Sequence, residues 1–95
     1  MNVIVVNESK GKAYVRARRI LGKYLPQLAR RAWAGRISQE GLEDLHKELR
    51  ASASKSTAVV CWRIVTRRRL EPVFIVGSRR LFDDQGRFAF RIRRT

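Results

Sequence analysis

The chain is poor in the side chains that most enzyme and metal chemistry requires. It has one cysteine, Cys61, so neither an internal disulfide nor a cysteine-rich zinc site can form within it. Cys61 falls in an apolar run and reads as a buried structural thiol. The single histidine, His46, lies on a helical stripe beside Leu42 and Leu49, the place of a helix-surface or core-edge residue and not of a ligand or base. No Arg/Lys-Gly-Phe-Gly-Phe run occurs, which argues against single-strand readout of the RRM type. No run of about 18 apolar residues and no basic-then-apolar leader is found, so a cytoplasmic protein without membrane contact is expected. Acid is scarce beside base. There are 8 acidic residues against 22 cations, and residues 9–39 hold nine cations and no acid.

What is present is arginine. The formal net charge is +14 over 95 residues, and 17 of the 22 cations are Arg. The planar guanidinium fork matches phosphate, so this bias favours phosphate recognition over mere solubility. The apolar fraction of 44% is that of a globular protein. One domain over residues 1–95 is expected, with a modest core. Charge of one sign on so small a core repels itself, so a polyanionic partner and a second protomer are expected.

Val3-Ile4-Val5-Val6 is an unbroken β-branched run and predicts a central strand buried on both faces. Helical spacing of Tyr14, Ala17, Leu21, Tyr24 and Leu28 predicts a helix over about Ala13–Leu25, ended by Pro26. Lys12, Arg16, Arg19 and Lys23 form a basic stripe on another side of it. Ala29–Ile37 reads as one polar edge strand, with Arg31, Trp33 and Gly35 on one face. Ser38 is a good N-cap for a helix over Gln39–Ala51, whose buried stripe is Leu42, Leu45 and Leu49. Strands follow at Thr57–Thr66 and Pro72–Val76, and strict alternation over Arg87–Arg94 predicts a further C-terminal strand. The predicted order is β-α-β-α-β-β-β. It implies an α+β, ferredoxin-like sandwich: an antiparallel sheet, two helices on one face, and one strand surplus to the plain β-α-β-β-α-β order. The segment of about residues 81–95 would pair with a second protomer or another partner.

Three groups of residues are candidates for function. Glu8, at the end of the first strand, is the only acid before Glu40 and the candidate catalytic or metal-binding carboxylate. Mg²⁺ needs several hard oxygens, so Glu8 would need a symmetry mate, with Asn7 and the Ser9 hydroxyl adding oxygens. Lys12, Arg16, Arg18 and Arg19 on the first helix are candidate phosphate contacts. So are Arg79 and Arg80, which follow a glycine at a strand end. For Arg67-Arg68-Arg69, a turn tip, a DNA contact and a partner contact all stay open.

Taken in order, these segments resemble a known family. Val3–Glu8 at the first strand, Trp33-Ala34-Gly35-Arg36-Ile37-Ser38 entering an acidic helix, Ala58-Val59-Val60-Cys61-Trp62, and Phe74-Ile75-Val76-Gly77-Ser78-Arg79-Arg80 carry the likeness. The chain resembles the small CRISPR-associated adaptation protein, the non-integrase subunit of the spacer-acquisition complex. The Trp62 strand and the Gly-Ser-Arg-Arg segment look most like the type I-E branch. The resemblance implies a homodimer of ferredoxin-like protomers, set between integrase dimers and bound to the middle of a prespacer duplex. It also implies a role for the residue ending strand 1. Many members carry an Asp there as a divalent-metal ligand for nuclease activity, and here the matching residue is Glu8.

The expected function is therefore a non-catalytic double-stranded DNA-binding scaffold, which requires no cofactor. Two alternatives stand beside it. One is a Mg²⁺-dependent endonuclease using Glu8 from both protomers; the other is a ribosome-associated RNA-binding protein.

Overall fold

The structure, a computed structural model, describes residues 1–77. The expected C-terminal strand and Arg79 and Arg80 lie outside the described residues. The elements are β1 (Asn2–Asn7), α1 (Lys12–Leu21), β2 (Gln27–Ala29), β3 (Ala32–Arg36), α2 (Gln39–Ala51), β4 (Ala58–Thr66) and β5 (Arg69–Gly77). They form one antiparallel sheet in the order β2-β3-β1-β4-β5. This is the α+β, ferredoxin-like arrangement, β-α-β-β-α-β, with β5 added beside β4.

The position of β1 follows from its side chains. Val3 and Val5 turn to the helices and Val6 to the other face, and all three are buried. Such a strand needs neighbours on both edges, and β1 has β3 on one side and β4 on the other. Trp33, Val59, Cys61, Phe74 and Val76 extend the helix-facing side, where Ala17, Leu21, Leu42, Leu45 and Leu49 pack on them. Cys61 is fully buried, and burial pushes its thiol up to about 12. It is structural, as its apolar setting predicted. On the opposite face Val6, Val60 and Trp62 are buried, with Ile4 and Leu70 packed against them.

Three expectations are corrected. The strand expected over Ala29–Ile37 is two strands, β2 and β3, joined at Arg30 and Arg31. That split restores the β-α-β-β-α-β order over the first six elements and leaves β5 as the strand surplus to it. Helix α1 ends at Leu21 and not near Leu25. Gly22 caps it, its amide bonded to the Arg18 carbonyl at 3.0 Å, and tight turns carry the chain on to Pro26. Leu28, expected on the helix's apolar side, stands on edge strand β2 and is 70% exposed.

Helix α2 keeps its expected bounds. The Ser38 hydroxyl accepts the Gly41 amide at 3.0 Å, and Leu42, Leu45 and Leu49 are buried. His46 stacks flat on Phe74 of β5, ring centroids 4.3 Å apart, at the edge of the core. Burial lowers its pKa, and the nearby Arg50 charge lowers it further. Gly77 ends β5 at φ +118°, where a Cβ would stand 1.8 Å from the Thr57 carbonyl oxygen. Only glycine allows β5 to close against the start of β4 there.

Candidate nucleic-acid interface

The end of β1 is built by buried polar side chains. Asn7 and Ser9 are fully buried. The Asn7 side-chain Nδ2 donates to the Tyr14 carbonyl at 3.2 Å, and its Oδ1 accepts the Ser9 backbone amide at 3.1 Å. The Ser9 hydroxyl oxygen accepts the Ala58 amide at 2.8 Å. These bonds turn the chain out of β1 and fix where α1 begins. Asn7 Oδ1 and the Ser9 hydroxyl oxygen thus each already accept one backbone hydrogen bond.

Glu8 stands beside this turn, partly exposed. Its neighbour is a cation: Arg31 Nη1 lies 3.7 Å from Glu8 Oε2. Among the described residues no group of three or more His, Cys, Asp or Glu side chains could hold a metal ion. One carboxylate, already faced by a guanidinium, does not fit Mg²⁺, which needs a near-octahedral set of hard oxygens. The described residues of one protomer therefore do not by themselves complete a Mg²⁺ site, for which Glu8 of a second protomer is expected.

The cations of α1 are differently placed. Ala13, Ala17 and Leu21 point into the core, so residues a third of a turn away point outward. Lys12, Arg16 and Arg19 follow the i, i+4, i+7 spacing of one helix flank and are exposed. Arg18 is exposed as well, but its guanidinium carbon lies 6.0 Å from the centre of the Tyr14 ring. The structure thus groups Lys12, Arg16 and Arg19 and sets Arg18 on the other flank.

The ion pairs among the described residues are Lys23–Glu48, Arg31–Glu8 and Arg63–Glu71, and none of them uses Lys12, Arg16, Arg18 or Arg19. Lys23, counted in the basic stripe, is bound at 2.6 Å to Glu48 of α2. Among the described residues, four α1 cations thus face solvent uncompensated, as a phosphate-binding surface requires.

Sequence reasoning missed Arg30 and Arg31. The Tyr14 hydroxyl donates to the Arg30 carbonyl at 2.5 Å, which brings the β2–β3 turn against α1. The Arg31 guanidinium carbon lies 5.3 Å from the Tyr14 ring centre, opposite the role of a solvated strand residue. No signal in the sequence couples residue 31 to residues 8 and 14; the pairing arises from the β2–β3 turn. Arg67 and Arg68 form the exposed tip of the β4–β5 hairpin.

Comparison with known proteins gives a family. The model of the CRISPR-associated nuclease/helicase Cas3, I-F/YPEST, Cas2 domain matches residues 1–79. Two curated relatives are CRISPR-associated nuclease/helicase Cas3 proteins of subtype I-F/YPEST. The one from Pectobacterium atrosepticum is 37% identical over 86 residues, which is 90% of this chain and 8% of that protein. The one from Pseudomonas aeruginosa is 36% identical over the same shares. The chain therefore spans 8% of the length of these relatives. All three matches carry the I-F/YPEST designation, so the likeness to the I-E branch is not confirmed. A ferredoxin-like fold and a match over residues 1–79 agree: the chain belongs to the Cas2-domain family of the CRISPR-associated I-F/YPEST proteins.

Proposed function

We propose that this chain is a non-catalytic double-stranded DNA-binding scaffold of CRISPR spacer acquisition, holding a prespacer duplex by its phosphates. The observation that carries this reading is the exposed cationic flank of α1, Lys12, Arg16 and Arg19, with Arg18 on the other flank, none of them in an ion pair among the described residues. Arg79 and Arg80 are proposed to add contacts. Such a surface binds by counterion release and reads little sequence. The proposal includes a homodimer, a CRISPR integrase as partner and a cytoplasmic setting. The dimer is supported by the sheet face away from the helices, where Ile64 and Ile75 are exposed beside Val60, Trp62 and Leu70. No helix among the described residues is long and apolar enough to cross a membrane.

The test is a titration of a random-sequence DNA duplex at rising salt. Affinity is expected to fall about a thousandfold or more between about 50 and 200 mM, equally for unrelated sequences. Arg16→Ala with Arg19→Ala should lower the slope of log affinity against log salt by about one for each phosphate contact removed. Arg79→Ala with Arg80→Ala should lower duplex affinity too. Salt-insensitive binding overturns the mechanism. A marked preference for structured RNA over the duplex supports the ribosome-associated alternative. Glu8→Gln should leave duplex binding unchanged, and loss of a Mg²⁺-dependent cleavage on that change would show an endonuclease instead.

A further inference from the structure

Helix α1 has two charged flanks. Lys12, Arg16 and Arg19 stand on the first. Arg18 follows Arg16 by two residues, about 200° around a helix of this pitch, so the two point to opposite sides. The second flank is joined to the β2–β3 turn through Tyr14. The Tyr14 hydroxyl donates to the Arg30 carbonyl at 2.5 Å, and Gln27 Nε2 donates to the same oxygen at 3.2 Å. The guanidinium carbons of Arg18 and Arg31 lie 6.0 and 5.3 Å from the Tyr14 ring centre.

Three arginines are thus gathered about one anchored ring. Arg31 is already engaged: its Nη1 donates to the Asn7 and Ser9 carbonyls and faces Glu8. Arg18 and Arg30 are exposed and belong to none of the ion pairs among the described residues. Like charges held together repel, and an anion relieves that repulsion. Val15 lies between the two flanks, beside Arg18 at i+3 and Arg19 at i+4, and is 40% exposed. An apolar side chain there suits contact with base edges and not with phosphate.

An apolar ridge between two cation rows is the form of a helix seated in a groove. A helix about 10–12 Å across fits the major groove of B-DNA, about 12 Å wide, with a different strand on each side. We infer that Arg18 and Arg30 hold the strand opposite to the one held by Lys12, Arg16 and Arg19. Tyr14 is the positioning residue of this second row. The inference rests on the DNA-binding reading and adds to it which strand each flank takes.

The test uses the whole chain and three probes of one length: a random-sequence DNA duplex, one of its strands alone, and an RNA duplex, whose major groove is too deep and narrow to be read. The wild type should bind the DNA duplex about tenfold tighter than either other probe, because only there do both rows meet phosphates. Arg18→Ala with Arg30→Ala should remove most of that preference and lower the duplex salt slope by about two. Arg18→Lys with Arg30→Lys should keep most of it. Tyr14→Phe keeps the ring and loses the bond to the Arg30 carbonyl; it should cut duplex affinity a few-fold and leave single-strand affinity unchanged. Lys47→Ala with Arg50→Ala removes the same charge from α2 and should leave duplex affinity within a few-fold. An Arg18→Ala, Arg30→Ala chain that binds the duplex as the wild type does overturns the inference and leaves the DNA-binding reading standing. So does an equal loss for all three probes, or a loss matched by the α2 pair. A wild type that binds the RNA duplex as tightly as the DNA duplex overturns the inference too. A wild type without salt-dependent duplex binding overturns both.

Discussion

The two helices pack on the same face of the same sheet, yet they are built in opposite ways. Helix α1 carries Lys12, Arg16, Arg18 and Arg19 and no acid. Helix α2 carries Glu40, Glu43, Asp44 and Glu48 against Lys47 and Arg50. Their buried sides differ as well. α2 inserts three leucines, whereas α1 inserts Ala13, Ala17 and Leu21. The fold accepts a helix of either sign at this face. The positive charge of α1 is therefore no requirement of folding, and it destabilises an isolated helix by repulsion between neighbours. A surface feature that costs stability and serves no packing role is a mark of binding.

The comparison can be broken first at the buried sides. Leu45 is fully buried in the centre of α2, so Leu45→Ala should lower unfolding free energy by about 2–5 kcal/mol in urea titrations. Ala17→Gly, on the corresponding line of α1, should lower it by only about 0.5–1 kcal/mol. Equal losses would mean that the sheet is held by both helices alike. The charged sides come next. Arg16→Glu with Arg19→Glu should weaken duplex DNA binding about a hundredfold at low salt. Glu43→Gln with Asp44→Asn should leave binding within a few-fold. A large effect of the α2 pair would place DNA across both helices.

The smallest effect lies where the two helices meet. Glu48 of α2 accepts from Lys23 and from the Tyr24 hydroxyl, just beyond α1. These bonds, Lys23's first and Tyr24's next, hold the Glu48 carboxyl below its usual range. Its contribution is present above the unfolded-state pKa and is lost as pH falls through the lower folded value. Glu48→Gln should therefore flatten the acid limb of the stability profile. The hydrogen bond to Glu48 pushes the Tyr24 phenol up to about 12, aided by burial. That contribution is full below about pH 10 and is lost as pH rises from there through the folded value. Tyr24→Phe should remove this alkaline sensitivity in Tm measurements against pH.

Much of the fold was legible because the decisive signals are local. The β-branched run of β1, the Ser38 cap and the Leu42-Leu45-Leu49 stripe each lie within a few residues of chain. The β2–β3 turn was not legible, because Arg30 and Arg31 lack the glycine, proline or asparagine that usually announces a turn. The earlier end of α1 was missed for a related reason: Pro26 is the louder signal, but Gly22 is where the helix stops. At the site, the exposed cations of α1 could be read from spacing alone. The Arg31 contact could not, since it joins residues brought together only by sheet pairing. Glu8 looked isolated in the sequence and has its counter-ion in the fold.

The central place of β1 also shapes how the chain folds during synthesis. Its first neighbour, β3, is nearby in sequence, but Val3 must wait for Arg63 before its other edge is covered. A pairing so distant along the chain makes for slow closure. Until β4 leaves the ribosome, this apolar central strand has one open edge. A nascent chain stalled before Ala58 would expose it, and aggregation through that edge is the failure to which this topology is most prone.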